Sequence, residues 1–294
     1  MTISAQMVKE LRERTGLGMM ECKAALTETN GDMDAAAELL RKKAGAKLEK
    51  KAGRTAADGA IAVYASGDGR LAAMVEVNSE TDFVAKGDDF LDFANKVAAR
   101  VAASNPADVD ALAKLALADG SSTTVAQALE ALVAKLGENM GVRRFQRLRS
   151  SGLIGTYVHG RKIGVLVEIE GGNSDLARDL AMHIAASRPE FVTKDQVPAE
   201  RIAKEKEIFA AQAAQSGKPA NIIDKMVEGR INKFLNEITL LGQPFVKDPD
   251  TTVEKLVKSK NAKVLRFIRY EVGEGIEKKA RDFAAEVMAT VKGG

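Results

Sequence analysis

Ala60-Ile61-Ala62-Val63-Tyr64-Ala65, then Ser66-Gly67-Asp68-Gly69-Arg70, then Leu71-Ala72-Ala73-Met74-Val75-Glu76-Val77-Asn78 is the stretch on which the fold turns. Two apolar or alternating runs flank a Gly/Ser/Asp segment, which is a β-hairpin signal. A helix over about 89–103 follows, with Phe90, Phe93, Ala94 and Val97 on one stripe, and Asn105-Pro106 ends it. The same order then returns. Ser151-Gly152-Leu153-Ile154-Gly155-Thr156-Tyr157 opens like Asp58-Gly59-Ala60-Ile61, and His159-Gly160-Arg161-Lys162 turns the chain. Ile163-Gly164-Val165-Leu166-Val167-Glu168-Ile169 matches 71–78, and a helix over about 175–186 matches the one at 89. This is a degenerate internal duplication, two hairpin-plus-helix subdomains of an α+β core.

Upstream, residues 4–43 read as three short helices. Ser4 caps the first, whose face holds Val8 and Leu11, and Thr15-Gly16-Leu17-Gly18 breaks it. The second runs from Met19 to Thr29 and stops at Asn30-Gly31; Asp32 caps the third, which carries Ala36, Leu39 and Leu40. The Lys-, Gly- and Ala-rich stretch 42–53 reads as a linker or weak helix with a solvated basic face. Two further helices are expected over 107–118 and 123–136, the latter stopped by Gly137. Between 199 and 238 lies a long charged helical pattern in which Ile223, Val227, Ile231, Phe234 and Ile238 form a near-heptad stripe. Ser216-Gly217-Lys218-Pro219 splits it into an antiparallel hairpin that projects from the core. A strand over 264–272 and a final helix over about 276–291 close the chain. The expected division is 1–54, a three-helix partner-binding module with its linker; 55–150 and 151–272, the two core subdomains, the second bearing the hairpin at about 199–238; and 273–294, a helical end.

Composition narrows the function. At 294 residues the chain exceeds one comfortable core, and 45% apolar with 29% charged residues describes an ordinary globular protein. A net charge of +3, from 44 basic and 41 acidic residues, argues against a bulk nucleic-acid binder. Aromatics at 4% with no tryptophan leave few stacking platforms. Cys22 is the only cysteine, so an intramolecular disulfide and a multi-cysteine zinc site are excluded. Neither a signal peptide nor a membrane span is legible, and a cytoplasmic location is expected.

Two glycine motifs are decoys. Gly217-Lys218 is followed by Pro219 where a P-loop needs Ser or Thr, and Gln212 stands where its first glycine belongs. Gly273-Glu274-Gly275 has Lys278 in place of the third glycine of a dinucleotide fingerprint. No direct nucleotide binding and no cofactor are therefore expected. His159 and His183, the two histidines, lie far apart; His183 reads as a packed helix residue and His159 as an exposed turn residue. No G-x-S-x-G elbow supports a nucleophile, so an enzyme is not expected.

The segment Asn78-Ser79-Glu80-Thr81-Asp82-Phe83-Val84-Ala85-Lys86-Gly87-Asp88-Asp89-Phe90 leaves a strand and precedes a helix. Its apolar Phe83 and Val84 thus fall in a loop or short turn. Either Phe83 tucks back into the core, or it is a protruding apolar wedge with a carboxylate beside it.

Thr81-Asp82-Phe83-Val84-Ala85-Lys86 resembles the hallmark motif of the elongation factor Ts family. The opening Val8-Lys9-Glu10-Leu11-Arg12-Glu13-Arg14-Thr15-Gly16, with Met19-Met20-Glu21-Cys22-Lys23-Ala24-Ala25-Leu26, resembles that family's N-terminal module. Lys51-Ala52-Gly53, His159-Gly160, Gln243-Pro244-Phe245-Val246 and Phe267-Ile268-Arg269-Tyr270-Glu271-Val272-Gly273-Glu274-Gly275 match in order, so the resemblance spans essentially the whole chain. It implies a UBA-like three-helix module, a core of two related subdomains, a coiled-coil hairpin and a C-terminal helix. It also implies a guanine-nucleotide exchange factor whose partner is elongation factor Tu, GDP-bound and nucleotide-free. Asp82 and Phe83 would enter the partner near its magnesium and phosphate site, with Thr81 and Val84 in the same motif. Lys23, Lys51, Leu136, Gly137 and His159 match other partner-contact positions, Leu136 replacing a common isoleucine. Self-association through the hairpin stays open. An RNA- or ribosome-binding adaptor using the cations of 41–54 and a hydrolase with a site between the subdomains are the rival classes.

Overall fold

The structure, a computed structural model, describes residues 3–215 and 219–277. The chain begins with three helices, α1 (Ala5–Thr15), α2 (Met19–Glu28) and α3 (Met33–Ala52). Ser4 Oγ accepts from Met7 N–H, Gly16 closes α1 in the left-handed region at φ 70°, and Asp32 caps α3 by accepting from Asp34 and Ala35. Val8, Leu11, Cys22, Ala25, Leu26, Ala36 and Leu40 make a small apolar cluster of their own. The stretch 42–53 is not a linker, because α3 continues to Ala52. Alanine, lysine, leucine and glutamate are strong helix formers, and a single interior glycine weakens such a run without ending it.

Strands β1 (Asp58–Ala65) and β2 (Leu71–Ser79) form the first hairpin; α4 (Asp82–Ala85) is a single turn, and α5 (Asp88–Ser104) follows. The helix expected over 107–118 is only α6 (Val109–Ala113), since Ala116 instead bridges Thr124. Next come α7 (Val125–Leu136), with a Thr124–Gln127 capping box, and β3 (Met140–Arg149), which pairs with β2. The second half repeats the plan with β4 (Leu153–His159), β5 (Ile163–Glu170) and α8 (Ser174–Ser187). Helices α9 (Ala199–Ala214) and α10 (Ala220–Ile238) follow, then the short β6 (Pro244–Phe245), β7 (Asp248–Thr252) and α11 (Val253–Ser259), and last β8 (Lys263–Glu271), which pairs with β5. The mixture of helices with small antiparallel sheets is α+β. The final helix expected over 276–291 lies outside the described residues beyond 277, and so do Gly217 and Lys218.

The two sheets, ordered β1-β2-β3 and β4-β5-β8, agree residue by residue. Each carries a bulge at one place, between Glu76 and Val77 and between Glu168 and Ile169. Glu76 faces Arg144 across the ladder as Glu168 faces Arg266. At Gly59 and Gly152 a Cβ would lie 2.1 Å and 2.2 Å from the carbonyl oxygens of Val77 and Ile169. The sheets join reciprocally: Ile61 N–H donates to Arg161 O and Ile154 N–H to Gly69 O, each at 2.8 Å.

Four layers result. Helices α5 and α7 cover the outer face of the first sheet around Phe90, Val97 and Val101. Helix α8 covers the second around Leu180 and Ile184. Between the sheets, Ile61, Ala72, Met74 and Leu148 meet Ile154, Leu166 and Tyr270. There the backbone approach is close enough that a Cβ at Gly164 would sit 2.4 Å from Ile61 Cγ2 and 2.6 Å from Met74 Sδ. Helices α9 and α10 pack on each other through Phe209 and Phe234, whose rings meet edge to face at 6.5 Å. Among their described residues only Ala213 and Val227 are buried, so this pair stands largely in solvent.

Strand β3 eluded the sequence because four arginines obscure its apolar positions. Two of them have a buried partner. Glu76, with 0% exposure, accepts from Arg144 Nε at 2.6 Å, Arg143 Nη1 at 3.0 Å, Gly273 N–H at 2.8 Å and Asn78 Nδ2 at 3.1 Å. Burial pushes the Glu76 carboxyl up, but the Gly273 amide and both guanidiniums outweigh it and hold the group below its usual range. A depressed carboxylate adds stability that is complete above the unfolded value near 4.5 and is lost as pH falls through the folded one. Replacing Glu76 by alanine strands two half-buried cations, and we expect a loss of about 3–5 kcal/mol in urea unfolding at pH 7. The deficit should shrink below pH 4.

Candidate functional site

The wedge turn is a departure from the internal repeat. After β5 the chain reaches α8 through residues 171–173 alone, where Gly171 and Gly172 take φ 71° and 69°. After β2 it takes residues 80–87 to reach α5, and these build α4. Thr81 caps that turn, its Oγ1 accepting from Val84 N–H at 3.4 Å. Ala85 is buried, and Val84 packs against the core of the first half. Phe83 points the other way and is 82% exposed, the most exposed large apolar residue described. The reading in which Phe83 tucks inward is excluded by this orientation.

Asp82 beside it pairs with Lys86 at 2.5 Å. The hydrogen bond from Lys86 holds the Asp82 carboxyl below its usual range, and the charges of Lys86 and Lys162 act in the same direction. Lys162 belongs to the β4–β5 turn and is anchored by Asp58 Oδ1 at 3.1 Å and Gly59 O at 3.2 Å. His159 opens that turn, exposed, with its Nδ1 3.1 Å from Tyr157 Oη.

Leu136 ends α7 half-buried against the core, and Gly137 caps it at φ 82°. A Cβ at Gly137 would lie 3.9 Å from Lys51 Nζ. Glu138 then accepts from Thr81 N–H and Thr81 Oγ1 at 3.0 Å and 2.6 Å. The fold thus gathers Lys51, Leu136, Gly137 and the Thr81-Asp82-Phe83-Val84 turn, with the His159 turn reaching the same end through Lys162. Lys23 lies on the exposed face of α2, near Met19 and Met20, which are 51% and 76% exposed. Among the described residues no hydrogen bond or ion pair links it to the wedge. Arg54 and Lys162 are legible in the sequence only as a cation of the basic run and a turn residue, and no local pattern announces Glu138 or Asn139, whose bonds to Thr81 and Glu80 span 57 and 59 positions.

A family model described as elongation factor TS matches residues 80–274. The elongation factor Ts of Thioalkalivibrio sulfidiphilus (strain HL-EbGR7) is 63% identical over 295 residues, covering 100% of both chains. That of Methylococcus capsulatus is 62% identical over 293 residues and that of Legionella pneumophila (strain Paris) 55% over 291, each covering 99% of both chains. The chain belongs to the elongation factor Ts family.

No described helix is long and apolar enough to cross a membrane. His183 serves packing. It is fully buried, its Nδ1 accepts from Val246 N–H at 3.1 Å, and its Nε2 therefore carries the proton donated to Gln243 Oε1 at 2.9 Å. Burial lowers its pKa below 6.5 and outweighs the opposing bond to Gln243. The unfolded chain thus takes up a proton first as pH falls, and the native state loses stability below about 6.5. We expect unfolding free energy to decline between pH 6.5 and 5 by at most ~1.4 kcal/mol per pH unit from this group. His183→Gln should flatten that decline in urea titrations.

Proposed function

We propose that the chain is a guanine-nucleotide exchange factor that binds elongation factor Tu, GDP-bound and nucleotide-free, and promotes GDP release during translation elongation. The observation that carries this reading is the Phe83 ring, 82% exposed on a turn whose neighbours are fixed in the core. A monomeric fold gains nothing by holding a phenyl ring in water. Burying it in a partner contributes roughly 1.5–3 kcal/mol.

The physics is linkage. A factor that binds the empty GTPase more tightly than the GDP form must weaken GDP binding by the same ratio, about 1.4 kcal/mol per factor of ten. In this reading Phe83 and Asp82 enter beside the partner's magnesium and phosphate site. They disturb the groups that hold the metal, and the diphosphate loses a large local positive charge. The emptied site refills with the more abundant nucleotide, and this chain makes and breaks no covalent bond. Thr81 and Val84 set the wedge, while Lys23, Lys51, Leu136, Gly137 and His159 add contacts around it. Residues 1–54 act as a UBA-like docking module, the two halves 55–150 and 151–272 as the platform, and 199–238 as a coiled-coil arm that leaves self-association open. The protein works in the cytoplasm.

Phe83→Ala should slow release of fluorescent GDP from preloaded elongation factor Tu at least tenfold, the loss expected for one buried side chain. Its own unfolding free energy should move by less than about 0.5 kcal/mol, as for surface substitutions. Unchanged release would overturn the assignment.

A further inference from the structure

We infer that Glu138 is a positioning residue for the wedge and that, with Glu80 and Asn139, it ties the wedge to the end of α3. The inference rests on the exchange reading of Phe83. Glu138 spends both carboxylate oxygens on Thr81, taking the backbone N–H at 3.0 Å and the hydroxyl at 2.6 Å. Charge-assisted bonds of this kind are roughly twice as strong as neutral ones. The consequence reaches one turn further. With its proton committed to Glu138, the Thr81 hydroxyl has only lone pairs to offer Val84 N–H, which is the acceptor role a helix cap needs. Glu138 therefore sets the rotor that caps α4, and α4 aims Phe83.

A second arm runs the opposite way. Glu80 Oε1 accepts from Asn139 N–H at 2.7 Å, so the pairs 80–81 and 138–139 each give one carboxylate to the other's backbone. Asn139 Nδ2 also donates to Arg54 O at 2.7 Å, and the Arg54 guanidinium lies 3.6 Å from Glu80. Arg54 N–H is bonded back to Lys51 O at the end of α3. On the other flank, Lys135 in the last turn of α7 pairs with Asp89 in the first turn of α5 at 2.7 Å. Residues 138–139 are thus a bracket with three attachments: the wedge, the exit of the N-terminal helices, and α7 through Gly137. These bonds end on the turn and the helix exit, not on the apolar core, so losing them changes where the ring points more than whether the chain folds.

The test uses the full chain. In Glu138→Ala the maximal rate of labelled-GDP release at saturating factor should fall about tenfold, the equivalent of ~1.4 kcal/mol. The half-saturating concentration should change less than about threefold, a fraction of that energy. Amide hydrogen exchange across 80–87 should quicken, while the melting temperature holds. Glu138→Gln, which keeps one acceptor, should recover part of the rate. Thr81→Val combined with Glu138→Ala should lose less than the sum of the two single variants, because both break the hydroxyl–carboxylate bond. A normal maximal rate in Glu138→Ala, or additive losses in the double variant, would overturn the inference. Phe83→Ala measured alongside separates the two failures. If it exchanges normally, the wedge reading fails; if it is defective while Glu138→Ala is normal, only the bracket fails.

Discussion

An aromatic ring stays in water only when something else forbids it from turning inward, and in this protein its neighbours do so. Val84 and Ala85 occupy the inward side of a single helical turn, so Phe83 at the adjoining position has nowhere to go but out. Thr81 closes that turn at its start, and the carboxylate of Glu138 holds Thr81. The geometry of this end of the molecule follows from that arrangement. Asp82 is presented next to the ring, Gly137 and Lys51 fall close by, and the β4–β5 turn brings Lys162 near enough to act on the Asp82 carboxyl.

The duplicated core is the platform on which this turn sits. Two sheets with matching bulges and matching glycines clamp each other through reciprocal backbone bonds at Ile61 and Ile154. The halves differ most in the connection from second strand to helix. One joins its second strand to its helix with a tight Gly171-Gly172-Asn173 connection, whereas the other inserts the wedge there. Their buried glutamates differ as well. Glu168 meets Arg266, but Glu76 gathers Arg143, Arg144 and the amide of Gly273, tying the end of the last strand to the first sheet. The second half thereby serves as a backstop for the first.

Local signals carried most of the fold into the sequence. The caps Ser4, Asp32 and Gly137, the alternating strands around residue 61 and the stripe Phe90–Phe93–Val97 are all decided within a few residues, and each appears where its pattern placed it. What escaped depends on distant partners. Strand β3 hides behind arginines whose carboxylate lies in another strand, and α6 is cut short by a bridge from Ala116 to Thr124; of the two readings of 42–53, linker or weak helix, the helix is the one observed. The candidate site shows the same division. Phe83 was visible as an apolar residue in a polar turn, but its direction was not, and the Glu138 bracket left no trace because it joins segments 57 positions apart.

The central claim is that the exposed ring becomes buried in the GTPase. Hydroxyl-radical footprinting of Phe83, in the free chain and after mixing with GDP-loaded elongation factor Tu, tests it most directly. The account predicts heavy labelling of the free ring and strong protection in the complex, in step with loss of GDP. Complex formation and GDP release with Phe83 labelled as heavily as before would contradict it.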